Sequence, residues 1–596
     1  MPPARLVHLA VRCALLLAAA QPLQPALAQA AAGPVDDRGC AVSWQVRPVL
    51  VGTDTTPPHL HLTLRFQAGR RSQTALHLPG GWAGLTELPE ADGPRLRALP
   101  GEPAWRSLVH APGEMVQLQW RLQPPADASQ GGHAQLTPDW FAFSGQGVLP
   151  MPEGADDAGA GPACVVLSGL PAGSRWASSH GTADGPGARF VLPQAGVPLA
   201  QRVQQALYAG GALQLQAAPG VVAALPQAAP WPVSAAAVAS AGARALAAQQ
   251  RQWPQPAGRE ADSPSPPWLL LVLPAPAAAP LASAWHQALA LQLPPGWAGG
   301  EPALERQLTP ALARAWMADR FGPLAHAGRG DAPLRAWFSA GWADFLAHRS
   351  LLRDGLWTAE DYAAALNARI AADVAEPARN LPNAELAAQG ALAPRLALLQ
   401  ARRGEWLALH WHQALRRAGH PGLDAVLRQQ LVPAAQARRE GPISAPLATH
   451  RVVATLRGVL HDQVLRELQQ HIDQGLPLAF GPDSLGPCFA PAPGAGHDAA
   501  PAYRAVPGAL QQADCQGWLG LGPLAETAAL PRAQARADPA ARAGSRQAAR
   551  KGGGKATAKA GARRAATATG KAATGKSTKP TKPKAPSRSK AGKPAR

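Results

Sequence analysis

The sequence predicts an α+β multidomain protein, with a β-rich N-terminal domain, a mostly helical domain after it and a disordered basic C-terminal tail. Apolar and polar residues alternate along 59–66 and 115–122, which is typical of half-buried strands. From residue 302 the apolar residues follow helical spacing instead. From Arg532 onward the chain is nearly all Lys, Arg, Ala, Thr, Pro, Ser and Gly, and such a segment cannot bury enough apolar surface to fold.

The N-terminal 30 residues read as a Sec-type signal peptide. Arg5 and Arg12 flank the apolar run 14–20, and residues 28–30 form an A-x-A cleavage site. The apolar run is too short to be a membrane anchor, because a spanning helix needs about 18 or more apolar residues. We therefore expect an exported protein, periplasmic or secreted. The alanine-rich body, with more Arg than Lys, indicates a GC-rich bacterial genome and favours the periplasm.

Four cysteines remain after the signal peptide: Cys40, Cys164, Cys488 and Cys515. An even number of cysteines in an oxidising compartment predicts disulfides. Three pairings are open. In one of them Cys40 pairs with Cys164 inside the N-terminal domain and Cys488 with Cys515 across a short loop. Four buried thiols are the alternative, and a zinc site made of all four is not expected because no C-x2-C pair exists.

The β-rich domain is predicted over 31–218, followed by an Ala/Pro-rich connection over 219–264 with one helix near 233–252. His59 and His61 share one face of a predicted strand. Such a pair is either a solvated strand face or part of a metal site. Further strands are predicted at 268–273 and 283–293.

The helical domain is predicted over 265–490, with an extension over 491–531 before the tail. Thr358 reads as the N-cap of a helix, with Asp361 in the third helical position as a variant capping box. His410 and His412, two apart on a helix, should point in different directions. The helices are predicted at 302–320, 332–353, 358–373, 385–402, 404–418 and 423–431, and in a stretch over 442–475.

Residues 308–348 carry a resemblance to a known family. They read as two amphipathic helices joined by a Gly/Pro loop. The glycyl aminopeptidases (metallopeptidase family 61, a gluzincin family) carry H-E-x-x-H-x-W on one helix and W-F-S-E-G-F-x-D-Y on the next. The positions of this sequence that match are Trp316, Gly322, Pro323, Trp337, Phe338, Ser339, Gly341 and Asp344. The resemblance covers 265–490 well and 40–264 weakly, and it implies a gluzincin-like (thermolysin-like) helical domain.

The residues that would carry the family's chemistry are missing. Two His one turn apart bind zinc from one helix face, and the Glu between them is the general base. The matching positions hold Pro310, Ala311 and Arg314, and the third ligand position holds Ala340. Residues 386–392 resemble the family's Y-Y-x-K-G-A-L without the tyrosine that would stabilise an oxyanion. The resemblance therefore implies a degenerate member that binds no metal and no cofactor.

The leading functional hypothesis is an exported, catalytically inactive peptidase-like protein whose vestigial groove binds a peptide or protein. The groove residues would be Arg314, Trp316, Trp337, Ser339 and Asp344. We expect Arg314 to hydrogen-bond Asp344 or another carboxylate, or to meet the carboxylate of a bound peptide.

Two alternatives stay open. The first is an active aminopeptidase with relocated metal ligands, for which Asp344, His348 and His326 are candidates. The ordinary interpretation of Asp344 and His348 is instead an exposed pair four apart on a helix, or a contact between the helix and a loop. The second alternative is a cell-envelope tether that acts through the basic tail.

The basicity of the chain is a property of its tail. Residues 532–596 carry 19 Lys and Arg against one acid, Asp538, whereas residues 31–531 carry 36 basic and 37 acidic side chains. Such a tail predicts electrostatic attachment to an anionic envelope polymer or lipid, such as lipopolysaccharide phosphates or an acidic wall polymer. Nucleic acid is not an expected partner of an exported protein, and a solubilising linker without a partner is the alternative.

Overall fold

The computed structural model describes most of the chain between residues 37 and 520. The predicted signal peptide and the basic tail lie outside the described residues. No helix among the described residues is long and apolar enough to cross a membrane. The described residues are 37–52, 57–87, 96–124, 134–155, 161–192, 198–227, 231–252, 266–275, 280–321, 336–390, 394–440, 445–492 and 500–520.

The N-terminal part is built from strands, as predicted. Its strands, in chain order, are β1 (Val42–Val49), β2 (His59–Gln67), β3 (Gln73–His77), β4 (Leu85–Glu87), β5 (Leu96–Leu99), β6 (Glu102–Val109), β7 (Met115–Leu122), β8 (Ala134–Leu136), β9 (Trp140–Ser144), β10 (Met151–Pro152), β11 (Ala163–Ser168), β12 (Arg175–Ser178), β13 (Gly181–Asp184), β14 (Gly187–Leu192), β15 (Leu207–Gly211), β16 (Leu213–Ala218) and β17 (Val221–Pro226).

These strands form three sheets and part of a fourth. The first sheet has the order β14-β11-β1-β2-β7-β4, the second β10-β3-β6-β5 and the third β13-β12-β15-β9-β8. The alternating segments β2 and β7 pair antiparallel at the centre of the first sheet, and each sends every second side chain into the core. Trp44 and Trp120 are almost fully buried there. The two predictions made from alternation are confirmed.

His59 and His61 lie on β2 in hydrogen-bond contact with each other. Their Nε2 atoms are 3.0 Å apart, and Nδ1 of His59 is 2.8 Å from the Pro57 carbonyl. His59 is buried, so a solvated face does not describe it. Among the residues that the structure describes, no group of three His, Cys, Asp or Glu could hold a metal ion.

A fourth sheet, with the order β16-β17-β18-β20-β19, underlies the helical part. Its later strands are β18 (Trp268–Pro274), β19 (Leu281–Trp285) and β20 (Ala288–Leu293). The single strand predicted at 283–293 is wrong, because the chain turns back as a hairpin. Gln287 adopts a positive φ of 48° in that turn, a conformation that the apolar run did not signal.

The second half of the described chain is mostly helical, which confirms the predicted fold class. The helices in chain order are α1 (Gly145–Val148), α2 (Leu199–Gln204), α3 (Ala235–Gln252), α4 (Glu301–Phe321), α5 (Trp342–Arg353), α6 (Ala359–Val374), α7 (Asn383–Gly390), α8 (Pro394–Arg417), α9 (Leu423–Glu440), α10 (Ala445–Leu460), α11 (Gln463–Glu467) and α12 (Ala513–Leu519). Two π-helical segments, Trp337–Gly341 and Leu468–Asp473, precede α5 and follow α11, and strands Phe489–Pro491 and Tyr503–Ala505 form a small hairpin sheet.

Local signals account for several helix ends. The Thr358 hydroxyl accepts a hydrogen bond from the Asp361 backbone, and the Asp361 carboxylate accepts one from the Thr358 backbone, so the predicted capping box is confirmed. The predicted break between 402 and 404 is wrong, because Gly404 lies inside α8. A side chain at Gly404 would overlap the carbonyl of Trp337, so glycine is there for close helix packing.

Two disulfides connect Cys40 with Cys164 and Cys488 with Cys515, separated by 124 and 27 residues. The predicted disulfides are confirmed, in the pairing that keeps the first bridge inside the N-terminal domain. Disulfides persist in oxidising compartments, so the two bridges indicate a location outside the cytoplasm.

Candidate functional site

Helix α4 carries the first half of the motif that resembles a zinc site. It begins at Glu301, so Pro310 lies in its interior. Proline there lacks the N–H that would bond to the carbonyl four residues back. Apolar side chains on the buried face, including Leu308 and Leu312, hold the helix against the core. Pro310 and Arg314 are therefore one turn apart on the same helix face.

The second half of the motif begins as a π-helical turn, Trp337–Gly341, and continues as α5. This turn passes unusually close to α8, because Gly341 and Gly404 oppose each other without side chains. The π turn leaves Ala340 partly exposed, and the following helix buries Asp344. The close approach of the two backbones also brings side chains of α8 within reach of α5.

Arg314 of α4 is bound to Asp344 of α5 by two parallel hydrogen bonds. Its Nε donates to Oδ1 and its Nη2 donates to Oδ2, both at 2.8 Å. The Asp344 side chain is 2% exposed and the Arg314 side chain 30%. The contact expected from the sequence is thus present, in the two-pronged geometry that is among the stronger charge pairs in proteins.

Three further residues extend this pair into a chain of hydrogen-bonded side chains. Arg369 of α6 donates from Nη2 to Asp344 at 2.9 Å and from Nε to Glu405 at 2.8 Å. The other oxygen of Glu405 lies 2.7 Å from Nδ1 of His348. Glu405 is 2% exposed and Arg369 28%. We call Arg314, Asp344, Arg369, Glu405 and His348 the Arg314 cluster.

The electrostatics of the cluster favour charged side chains. Burial alone would raise the pKa of Asp344, but Arg314 and Arg369 outweigh burial and hold it below its usual range. Burial alone would lower the pKa of Arg369, but Glu405 and Asp344 raise it. The buried carboxylates of Asp344 and Glu405 both accept hydrogen bonds from arginines, which meets the need of a buried acidic group for a partner.

The residues at the motif positions do not fit a zinc ion. A catalytic zinc needs three protein donors and an open water position. Pro310, Ala311 and Ala340 have no donor atom in their side chains, and Arg314 places a permanent positive charge where a metal ligand would be. Asp344 and Glu405, the nearby carboxylates, already accept hydrogen bonds from arginine or histidine. No step of metal-dependent hydrolysis follows from this arrangement.

The other predicted site residues occupy different environments. Trp316 is 4% exposed and stacks on Trp268 with ring centroids 6.2 Å apart, and Trp337 is 6% exposed, so both rings belong to the core. Ser339 is partly exposed. His326 lies outside the described residues. The exposed pair predicted for Asp344 and His348 is wrong, because both are buried and each bonds to a different partner.

Sequence reasoning missed Arg369 and Glu405. Each lies far along the chain from the motif, and a single sequence does not show which distant charges meet. One signal was present: Glu405 is a lone acid in the apolar stretch GEWLALHW, and a charge on a buried helix face needs a partner. Arg314, flanked by the buried residues Ala313 and Ala315, carries the same signal.

No family model matches this sequence, and no curated protein matches it. Solved structures with a similar fold include an aminopeptidase N family protein from Idiomarina loihiensis (TM-score 0.46, 13% identity, 72% of this chain and 73% of that chain). Another is an M1 zinc metallopeptidase from Deinococcus radiodurans bound to a Tyr-Ser-Ala substrate (TM-score 0.45, 18% identity, 73% and 94%). A third is leukotriene A4 hydrolase from Saccharomyces cerevisiae (TM-score 0.46, 9% identity, 74% and 69%). At such low identities and TM-scores, these similarities carry no residue role and no activity over to this chain.

Proposed function

We propose that this protein is an exported, non-catalytic peptidase-like protein that binds a peptide through the Arg314 cluster. The observation that carries the proposal is the paired hydrogen bonding of Arg314 to buried Asp344, at the place where the family pattern has a metal ligand. The site has charge and a fixed geometry, but Pro310, Ala311, Arg314 and Ala340 supply neither a set of metal ligands nor a general base at the motif positions. Such a site is suited to recognition rather than hydrolysis.

The two arginines give the site its ligand preference. Arg314 and Arg369 are 30% and 28% exposed, whereas the carboxylates they contact are 2% exposed. The outer surface of the cluster therefore presents guanidinium groups and hides the anions. A guanidinium binds carboxylates well, because its planar donors match the two carboxylate oxygens. The ligand that fits is a peptide with a carboxylate, at its C-terminus or in an acidic side chain.

Strand β19 offers a place for the peptide backbone. Among the described strands it is the outermost of its sheet, paired with β20 on one side, and helix α4 packs against it. An edge strand has unpaired N–H and C=O groups that can accept an added strand. A peptide that extends β19 would lie beside the helix that carries Arg314.

Paired peptides test this proposal. We would measure the binding of short peptides that differ in a free carboxylate or an amide at the C-terminus, by fluorescence anisotropy. The free acid should bind more tightly, and Arg314→Gln should remove that preference with a loss of about tenfold or more, the size expected for a charged hydrogen bond. Arg306→Gln is the matched control, because Arg306 is an exposed arginine on the same helix. Equal binding of acid and amide peptides by the natural protein would contradict the proposal.

A restored variant tests why hydrolysis is absent. Pro310→His, Ala311→Glu, Arg314→His and Ala340→Glu together would place two His one turn apart on α4 and a Glu on the facing π turn. If ligand loss is the cause, this variant gains zinc and the natural protein has none. Chelator-sensitive hydrolysis by the natural protein would instead favour relocated ligands.

The tail supports a second part of the proposal, attachment to the cell envelope. Its 19 basic residues and one acid contrast with the nearly neutral remainder of the exported chain. Removal of 532–596 should abolish binding to vesicles that contain anionic lipid, and salt should weaken the binding of the full chain steeply. A truncated protein that binds such vesicles as the full chain does would rule out this role.

A further inference from the structure

A cleft of about 670 Å³ lies on a face of α8, separate from the Arg314 cluster. Trp406, His410, Gln413 and Arg417 recur at helical spacing along one wall. The facing wall is formed by the end of α10 and by residues 478–484. None of the five residues of the Arg314 cluster lines this cleft. The cleft is large enough for a drug-sized molecule.

Most of the lining is apolar. Trp406 and Phe480 meet edge to face, with ring centroids 5.1 Å apart at an interplanar angle of 86°. Leu409 and Leu478 lie on the same lining. Such a surface suits the flat body of an aromatic or alicyclic ring, because aromatic contacts favour offset and edge-to-face arrangements.

One polar group on the wall has a fixed orientation. Oε1 of Glu467 lies 3.0 Å from Nε2 of His410 and accepts from Gln463 at 2.8 Å, and its other oxygen accepts from the Trp411 indole. Burial alone would raise the pKa of Glu467, but the hydrogen bonds from His410 and Gln463 lower it. Glu467 is therefore an ion that only accepts, so Nε2 of His410 carries hydrogen. The other ring nitrogen, Nδ1, takes no part in that contact and can hydrogen-bond to a ligand in the cleft that His410 lines.

The charges at the rim neutralise each other. Among the residues that line the cleft, Arg417 and Asp483 form an ion pair at 3.4 Å. A charged ligand would thus compete with this ion pair for a counter-charge at the rim, whereas a neutral ligand would not. A ligand that fits these walls has an apolar body and one neutral hydrogen-bonding group.

His461, at the end of α10, also lines the cleft and has a backbone φ of 52°. Helices commonly end on a residue in this left-handed conformation, and that residue is usually glycine. Histidine here keeps a side chain in a backbone conformation that glycine would adopt at lower cost. The variant His461→Gly should therefore change the stability of the fold and leave ligand recognition in the cleft unchanged.

We infer that the cleft binds a neutral amphipathic small molecule, with its ring body against Phe480 and Leu478 and its hydroxyl hydrogen-bonded to Nδ1 of His410. This site is distinct from the peptide site proposed above and does not depend on it. Glu467 fixes the orientation of the His410 ring, so ligand binding does not have to order that ring.

Two probes of similar size and shape test the inference on the full-length protein. The probes are 2-naphthol and 2-methylnaphthalene, which differ in one hydroxyl, and binding is followed by saturation-transfer NMR. We expect 2-naphthol to bind more tightly by roughly two- to tenfold, the range for one net hydrogen bond. Equal affinity, or no saturable binding of either probe, would overturn the inference.

Variants then locate the contact. His410→Ala should remove the preference for 2-naphthol, and Phe480→Ala should weaken both probes alike. His461→Gly should raise the urea midpoint and retain the preference, while Arg314→Gln should leave both affinities unchanged. A preference that survives His410→Ala would show that the hydroxyl is recognised elsewhere. His410 is 37% exposed, so its truncation should leave the fold intact, which the urea midpoint of the variant checks.

Discussion

The carboxylates of the Arg314 cluster differ from the carboxylate beside the cleft in how much of them is exposed and in what they contact. Glu405 and Asp344 are 2% exposed and are matched by arginines of the same chain. Glu467 is 14% exposed and orients a histidine at the wall of an open cleft. A buried carboxylate can thus be fully hydrogen-bonded by partners within its own chain. In the Arg314 cluster the protein's own guanidinium groups take the place of an external cation, so the ligand that we propose would contact only the exposed parts of Arg314 and Arg369.

The largest difference between these carboxylates should appear in stability. Glu405→Gln removes the charge that Arg369 and His348 contact, and loss of one partner of a buried pair costs about 3 kcal/mol. Glu467→Gln keeps most hydrogen bonds in a half-buried place and should cost about 1 kcal/mol. Urea unfolding followed by circular dichroism measures both. Equal losses of unfolding free energy in the two variants would contradict the distinction between the Arg314 cluster and the cleft.

Acid should destabilise the Arg314 cluster through Asp344, with a smaller effect on stability than Glu405→Gln. The pKa of Asp344 is lowered in the folded state, so its stabilisation is present above the ordinary aspartate pKa of about 3.9 and is lost as the pH falls below that value toward the lowered pKa. Urea midpoints measured between pH 6 and pH 3 should therefore fall less steeply in Asp344→Asn than in the natural protein. A parallel slope in the two proteins would show that Asp344 is not held as an ion.

Arginine substitutions should have the smallest effects. Arg314→Gln should cost about 1 kcal/mol, because Arg369 still contacts Asp344 and Arg314 is partly exposed. Arg417→Gln breaks a pair whose side chains are 61% and 77% exposed, and it should leave the midpoint unchanged. If Arg417→Gln lowered the free energy of unfolding as much as Arg314→Gln does, solvent exposure would not explain the difference between the cleft and the Arg314 cluster.

Local patterns in the sequence predicted local structure well. Alternation located β2 and β7, and the pair Thr358 and Asp361 predicted a helix start, because each signal depends on neighbouring residues alone. The hairpin turn at Gln287 and the continuity of α8 through Gly404 were missed. The turn depends on one backbone angle, and the glycine is explained by a contact with Trp337 more than 60 residues away.

Only part of the candidate site could be predicted from the sequence, because local patterns do not show which distant residues meet. The absence of donors at positions 310, 311 and 340 follows from the sequence, and so did the expectation that Arg314 meets Asp344. The roles of Arg369 and Glu405 depend on packing between α5, α6 and α8, which no local pattern encodes. The burial of His348 follows from that packing as well.

Zinc content tests the central claim most directly. The natural protein, purified without chelator from the exported fraction, would be measured by inductively coupled plasma mass spectrometry. We expect far less than one zinc per chain, because Pro310, Arg314 and Ala340 supply no ligand. One tightly bound zinc per chain would contradict it.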